Sequence, residues 1–169
     1  MRVLALDLAT NSGVAIVDGD ATIVCTSWPL LDGVRTSGRH APPLDVRHVL
    51  AVQSLRNRLK RLIAIHRPDV VAVEREFGRG VGSRLLVALY TAGQEAAYDA
   101  GLPCLGVRLG DWRKHVHGSA GWTTDRYKDE AMRLVPDAPD ADAAEATLIA
   151  RYVSQTARST PADAPSAKR

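Results

Sequence analysis

The sequence predicts an α/β fold: a five-stranded mixed sheet flanked by helices, with its elements in the order βββαβαβαα. Three short runs rich in apolar and β-branched residues come first, and turn-forming residues separate them. Two further runs of this kind follow, each preceded by a stretch with helical character. Successive strands favour an antiparallel meander, whereas strand–helix–strand units favour right-handed parallel crossovers. A sheet with both kinds of pairing is therefore expected.

The meander is predicted at residues 2–9, 12–18 and 21–28. The letters "NSG" at 11–13 form the turn of the first hairpin, because Asn, Ser and Gly are common turn residues. Residues 29–44, "PLLDGVRTSGRHAPPL", combine Pro, Gly and polar residues and are predicted to be a loop.

The centre of the chain alternates helices and strands. Residues 45–66 repeat apolar side chains at three- and four-residue spacing, which predicts a helix, and Pro68 follows its end. The β-branched run "DVVAVERE" at 69–76 is typical of a buried parallel strand. A glycine-rich turn then leads to a helix at 83–100, which is followed by a strand at 102–109.

The last third of the chain is predicted to be helical after a loop. Residues 110–124 are expected to form that loop, with at most one helical turn, and a helix follows at 125–134. The final helix starts at Asp140 or Asp142 and ends near Tyr152. The predicted domain spans residues 1–154. The tail at 155–169 is rich in Ser, Thr, Ala and Pro and is expected to be disordered.

Composition excludes some classes of protein. The 169 residues and an apolar share of 46% suit one domain with a real core. No apolar run is long enough to span a membrane, and the N-terminus does not resemble a signal peptide. Cys25 and Cys104 are expected to be free thiols, which suggests a cytoplasmic location. The net charge is +3, and Arg greatly outnumbers Lys. This excess suits phosphate binding, but it also fits a GC-rich genome.

Four acidic residues occupy positions where a carboxylate is costly. Asp7 interrupts an apolar strand, and Glu74 ends a buried one. Asp142 and Glu145 lie three apart in "DADAAEATLIARY", so a helix places them on one face. Clustered carboxylates repel one another unless a cation neutralises them, and hard cations such as Mg²⁺ prefer oxygen ligands. Two such ions can flank a phosphate during its hydrolysis.

Each acid also has a structural explanation. Asp7 could be a solvated acid at the edge of a strand, and Glu74 could pair with an arginine. Asp142 could act only as a helix cap, and Glu145 could form an ordinary surface ion pair.

Three segments together resemble the RuvC family of Holliday junction resolvases, which belongs to the RNase H-like superfamily. They are "LALDLATNSGVAIV", "DVVAVEREF" and "DADAAEATLIARY", and the family's elements recur in order from residue 2 to about 153. The resemblance implies an RNase H-like fold and a homodimer that cuts four-way DNA junctions by paired symmetric nicks, leaving 5′-phosphate and 3′-hydroxyl ends. It also implies two Mg²⁺ per active site, with Mn²⁺ as a substitute. The small size suits a phage-type member.

The same resemblance assigns the catalytic and metal-binding acids to Asp7, Glu74, Asp142 and Glu145. Glu145 departs from the family, which has Asp there, and the extra methylene is expected to alter the metal geometry slightly. Alternative ligands, if the register differs, are Glu76, Asp137 and Asp140.

The resemblance also implies two basic residues near the active site. Lys114 matches the first of them. Lys128 is the best match for the second, catalytic one, although Arg126 competes for this role. Either could bind the scissile phosphate or stabilise the transition state.

A DNA-binding face is expected around these residues. Phe77 follows the catalytic Glu by three residues and could stack on an unpaired base, or it could be a core residue. Trp112 and Trp122 could buttress this face or stack on DNA, and core packing is favoured for Trp112. The helix at 83–100 corresponds to the family's dimer helix, although its small residues also suit packing on the sheet. The cations expected to contact DNA are Arg35, Arg39, Arg75, Arg79, Arg84, Arg113, Lys114 and Arg126.

Three other functions compete with junction resolution. A related nuclease could act on other branched DNA or on precursor ribosomal RNA. A sugar kinase or an actin-like ATPase also begins with a strand and an Asp, but it needs about twice this length. A DNA-binding module without activity would be expected to have lost some of the four acids.

Overall fold

A computed structural model describes residues 1–75 and 81–159. Ten elements follow one another along the chain. They are β1 (Arg2–Asp7), β2 (Asn11–Asp18), β3 (Ala21–Pro29), α1 (Leu44–His66), β4 (Val70–Arg75), α2 (Val81–Asp99), β5 (Cys104–Arg108), α3 (Leu109–His117), α4 (Thr124–Leu134) and α5 (Ala141–Ser159).

The five strands form one mixed sheet in the order β3-β2-β1-β4-β5. Strands β1, β2 and β3 pair antiparallel, whereas β1, β4 and β5 pair parallel. The predicted fold class and the five strands are therefore confirmed. The chain leaves the meander through α1 and re-enters the sheet at β4, beside β1, so that β1 is the central strand and lies between β2 and β4.

Helices cover both faces of the sheet. On one face, α1 and α2 contribute Leu55, Leu59 and Leu89 to a core that includes Leu4 and Leu6 of β1. On the other face, α3, α4 and α5 pack on the remaining side chains of the same strands. This second core includes Val3, Ala5, Ala72, Trp112, Ala131 and Ile149. Alternation along β1 and β4 therefore decides which layer each side chain meets.

Two helices differ from the sequence prediction. The segment 110–124, expected to be a loop, contains most of α3, because fully buried Trp112 anchors a helix of nine residues against the sheet. Helix α5 continues to Ser159 instead of ending near Tyr152, since Val153 and Ser154 are still buried. The observed order is thus βββαβαβααα, and residues 160–169 of the expected tail lie outside the described part of the chain.

The small residues of α2 pack inside their own chain. Ala92, Ala96 and Ala97 are buried in the core beneath α1 and α2. A Cβ on Gly93 would lie 3.3 Å from Val73, so this helix approaches the sheet closely. The small side chains are therefore accounted for by packing within one chain, and a dimer needs other support.

The cysteines and the helices agree with the composition. Cys25 and Cys104 are both free and partly buried. Among the described helices, none is both long and apolar enough to cross a membrane.

Candidate metal centre

Asp7 and Glu74 lie side by side at the ends of two central strands. Leu6 of β1 pairs with Val73 of β4, and each acid is the next residue of its parallel strand. Both side chains point to the face covered by α5, because they share the alternation of Ala5 and Ala72. Burial raises the pKa of Asp7, and the two carboxyl groups lie close enough for the Glu74 carboxylate to raise it further.

The N-terminus of α5 brings Asp142 and Glu145 to Asp7. The carboxylate oxygens that Asp7, Asp142 and Glu145 can offer a metal ion lie within 4.8 Å of one another. The predicted three-residue spacing therefore directs both helix acids to the strand end. Glu74 stands outside this group of three and adjoins it through Asp7.

Asp140, one of the alternative ligands, is a helix cap. Its Oδ1 accepts hydrogen bonds from the Ala143 amide at 2.9 Å and from Ser27 Oγ at 2.5 Å. Burial would raise the pKa of Asp140, but these hydrogen bonds outweigh it and lower the pKa. Asp142 is thus free of the capping role and can serve as a ligand. Asp137 is exposed and does not join the acid group among the described residues.

The first hairpin holds α5 in place. Gly13 of β2 lies opposite Asp7, and a Cβ there would fall 1.9 Å from the carbonyl oxygen of Asp142. Only glycine leaves room for the first turn of α5 at this point. From the first residue of the same strand, Asn11 Nδ2 donates to Asp142 Oδ2 at 2.8 Å. The sequence predicts these two residues in the hairpin turn, but the structure places both in β2, where Gly13 pairs with Asp7 and Asn11 with Pro29. Their contacts with residue 142 require the tertiary structure.

Helix α3 supplies the partner of Glu74. Trp112 Nε1 donates to Glu74 Oε1 at 2.7 Å, and the Trp112 ring is fully buried. The predicted core role of Trp112 is therefore confirmed, and the ring also orients an acid of the centre. Nothing in the sequence signals this bond, because the segment was expected to be a loop.

Two cations reach the helix acids. Arg113 Nη2 lies 3.0 Å from Glu145 Oε1, and Lys128 Nζ lies 2.9 Å from Asp142 Oδ1. Lys128 thus lies beside one of the four acids, and its catalytic role stays a prediction. Arg113, predicted only to bind DNA, faces the acid cluster, whereas its neighbour Lys114 is exposed.

Burial and mutual repulsion raise the pKa of three acids. For Asp7 the main cause is burial, followed by the charges of Glu74 and Glu145, and its pKa is well above the usual range. Burial also raises the pKa of Glu74, against the hydrogen bond from Trp112. Burial likewise raises the pKa of Glu145 despite the charge of Arg113. The hydrogen bond to Asp142 raises the pKa of Lys128. A bound cation would stabilise the ionised forms of these clustered carboxylates, which otherwise repel one another.

Aromatic rings support the two cation-bearing helices. The Arg113 guanidinium lies 4.2 Å from the Tyr127 ring centroid. Trp122 stacks on Tyr127 at 5.4 Å, and Arg126 lies 4.0 Å over Trp122. Trp122 therefore buttresses α4. Exposed Arg126 packs on Trp122, whereas Lys128 of the same helix contacts Asp142.

The remaining predicted DNA contacts that the structure describes are exposed on several elements. Arg35 and Arg39 are exposed in the loop before α1, and Arg84 is exposed on α2. Arg75 is exposed on the sheet face opposite to Glu74. The predicted residues Glu76, Phe77 and Arg79 lie outside the described part of the chain.

Comparisons with known proteins agree on the fold. No protein-family model and no curated protein matches the chain. Two structures of Thermus thermophilus RuvC, one in complex with a Holliday junction substrate, are 21% identical with a TM-score of 0.69, covering 94% of this chain and 96% of theirs. The fowlpox virus Holliday junction resolvase is 11% identical, with a TM-score of 0.57 over 92% of this chain and 99% of its own.

A yeast mitochondrial Holliday junction resolvase is 13% identical, with a TM-score of 0.51 over 92% of this chain and 83% of its own. At these identities the likeness concerns the fold. The chain therefore has the RNase H-like fold in the form that RuvC and related Holliday junction resolvases share.

Proposed function

We propose that this protein is a metal-dependent endonuclease that resolves four-way DNA junctions. The observation that carries the proposal is the convergence of Asp7, Asp142 and Glu145 within 4.8 Å. The adjoining Glu74 supplies a fourth carboxylate. The fold supports the same conclusion, because a structural neighbour is described in complex with a Holliday junction substrate.

Oxygen ligands and raised carboxyl pKa values fit Mg²⁺, with Mn²⁺ as a substitute. Asp7, Asp142, Glu145 and Glu74 would hold two ions per site. When bound, such ions lower the pKa of water and stabilise negative charge on the leaving oxygen. In the hydrolysis, a water oxygen forms a bond to phosphorus and the bond from phosphorus to the 3′ oxygen breaks. The products are a 5′-phosphate and a 3′-hydroxyl.

The cations of the chain suit binding to the phosphate backbone. Arg35, Arg39 and Arg84 are exposed, as are Lys114 and Arg126. Contacts of this kind recognise the path of the strands more than the bases, which suits an enzyme selective for branched DNA. Phe77, Arg75 and Arg79 remain predicted contacts. Because a four-way junction has two equivalent strands to cut, the active species is proposed to be a homodimer in the cytoplasm.

A panel of labelled substrates tests the proposal. Synthetic four-way junctions, three-way junctions, flaps, linear duplex and structured ribosomal RNA precursor are incubated with Mg²⁺ or with EDTA. Wild type is expected to nick the four-way junction in two symmetric strands, and only with the metal. Asp142→Asn is expected to lose this cleavage, whereas Asp20→Asn, an exposed acid in a distant turn, retains it.

Two results would redirect the proposal. Preferred cutting of flaps or of RNA would assign the site to a related nuclease of the same fold. Equal cleavage by wild type and Asp142→Asn would remove the acid cluster from the reaction.

Trp112→Phe is expected to lower Mg²⁺ affinity and cleavage about 10–100-fold, the range typical of residues that orient a metal ligand. The substitution keeps most of the ring but removes the hydrogen bond to Glu74. Titration calorimetry with Mg²⁺ and the junction assay measure both effects. Trp122→Phe is the matched control, because within the described part of the chain Trp122 contacts His117, Tyr127 and Arg126 and no acid. Unchanged affinity in Trp112→Phe would mean that Glu74 needs no orientation from α3.

A further inference from the structure

Helices α3 and α4 give one hydrogen-bond donor to each of three acids. Trp112 donates to Glu74, Arg113 to Glu145, and Lys128 to Asp142. Two of these donors carry a full positive charge. Without a metal, these two cations offset the negative charge of the acid cluster. When a divalent ion binds, each cation either keeps its ion pair with the acid or gives it up. The structure distinguishes the two.

Lys128 is held weakly. Its side chain is 41% exposed, and its ammonium has a single hydrogen bond, to Asp142 Oδ1, among the contacts of the described residues. Both oxygens of Asp142 are engaged, since Asn11 donates to Oδ2. A divalent ion at Asp142 would stand within a few ångströms of the ammonium and repel it. The flexible stem of Lys128 can move this charge into solvent at little cost.

Arg113 is held firmly. Its side chain is only 13% exposed and contacts Glu145 Oε1, which leaves Oε2 of the same carboxylate for another ligand. The guanidinium also lies 4.2 Å from the Tyr127 ring centroid and 5.4 Å from that of Trp112. A cation between rings and a buried carboxylate has no low-cost route to solvent.

We propose that the two cations have opposite roles at the metal centre: Lys128 is a displaceable counter-ion that competes with the metal at Asp142, and Arg113 is a permanent one that positions Glu145. The inference rests on the proposed function for the identity of the bound ion. It gives the Glu at position 145 a physical explanation, because the longer side chain is oriented by Arg113. It also leaves the partly exposed Lys128, once released from Asp142, able to contact an incoming phosphate.

Titration calorimetry with Mg²⁺ and no DNA tests the proposal through the sign of each effect. Lys128→Met is expected to bind Mg²⁺ about 1.5- to 5-fold more tightly, the gain from losing a competing, partly exposed ion pair. Arg113→Met is expected to bind it about 10–100-fold more weakly, because a ligand loses its orienting partner. Arg113→Lys, which keeps the charge but not the ring stacking, is expected to bind more weakly than wild type. It replaces the Met variant if that variant is unstable. Lys60→Met is the matched control, since Lys60 forms an exposed ion pair with Asp99 between α1 and α2.

Lysine acylation followed by mass spectrometry gives a second readout on the wild-type protein. The chain has four lysines, so each can be followed separately. Addition of Mg²⁺ is expected to increase the labelling rate of Lys128 about 1.5- to 5-fold, as its ion pair opens. The rates of Lys60 and Lys114 are expected to stay constant.

Three results would each overturn the inference without affecting the proposed function. They are weaker Mg²⁺ binding by Lys128→Met, tighter binding by Arg113→Met, and unchanged labelling of Lys128 in the metal-bound protein. A wild-type protein that binds no Mg²⁺ would count against the proposed function as well. Junction cleavage is measured independently of both.

Discussion

Asp7→Asn is expected to abolish junction cleavage and, without metal, to make the protein more stable than wild type. The loss of activity follows because Asp7 lies between the strand acid Glu74 and the helix acids, with its ligand oxygen within 4.8 Å of those of Asp142 and Glu145. An amide has no negative charge for the ion, and a loss of at least about 10³-fold is expected if the metal activates the water. The junction assay in Mg²⁺ measures it.

The gain in stability follows from the raised pKa of Asp7. An acid whose pKa is higher in the folded protein than in the unfolded chain favours folding only while it is protonated. Stability is therefore lost as the pH rises from about 4, the ordinary value, through the raised pKa. The asparagine side chain of the variant does not ionise and avoids this loss. At neutral pH the metal-free variant is therefore expected to be more stable than wild type.

Urea unfolding in EDTA at pH 5 and pH 8 measures this difference, which is expected to be larger at pH 8. Asp20→Asn, in an exposed turn, is the control whose difference from wild type is expected to be small at both values. Adding Mg²⁺ should reverse the order, because bound ligand stabilises wild type by about 2.7 kcal/mol at 100 times its Kd. A metal-free Asp7→Asn protein less stable than wild type at pH 8 would contradict the account of a strained carboxylate.

Gly13→Ala is expected to destabilise the protein by about 1–3 kcal/mol or more and to disrupt the metal centre. The new Cβ would lie 1.9 Å from the carbonyl oxygen and 2.4 Å from the carbonyl carbon of Asp142. Both are backbone atoms, so the first turn of α5 must move. Asp142 and Glu145 move with it, and a displacement of about 1 Å at an active site can cost 10²-fold in rate.

Gly110→Ala is the matched control for this substitution. Gly110 lies in α3, and a Cβ there meets no atom within 4 Å. Alanine is the better helix former by about 1 kcal/mol, so this variant is expected to equal or exceed wild type in stability. Urea unfolding, Mg²⁺ titration and junction cleavage are measured on both variants. If Gly13→Ala retains stability and metal affinity, α5 does not depend on a close approach to β2.

Several features were predictable because they depend on local periodicity. The strands follow from alternating and β-branched runs, and the mixture of antiparallel and parallel pairing follows from the connections between them. Asp7 and Glu74 stand out because each interrupts or ends such a run. Asp142 and Glu145 share a helix face at any three-residue spacing. Most of the acid cluster is therefore visible in the sequence, together with the sheet that supports it.

Other features depend on helix phase, which a short polar segment does not reveal. Arg113 and Lys114 are adjacent cations, and burial of Trp112 turns Arg113 towards Glu145 while Lys114 faces solvent. Likewise, the sequence offers Asp140 and Asp142 as equivalent candidates for the start of the last helix. In the structure Asp140 is the cap, because it accepts hydrogen bonds from the Ala143 amide and from Ser27 on β3.

By itself, the sequence determined which acids stand at strand ends and on one helix face, because that information is carried by nearest neighbours along the chain. The tertiary structure decided which cation pairs with which acid. It also decided that Asn11 and Gly13 contact the first turn of α5, the helix that carries Asp142 and Glu145. Those contacts join residues far apart in the chain or depend on the rotation of a helix about its axis. They are set by the packing of the layers, for which local patterns contain no signal.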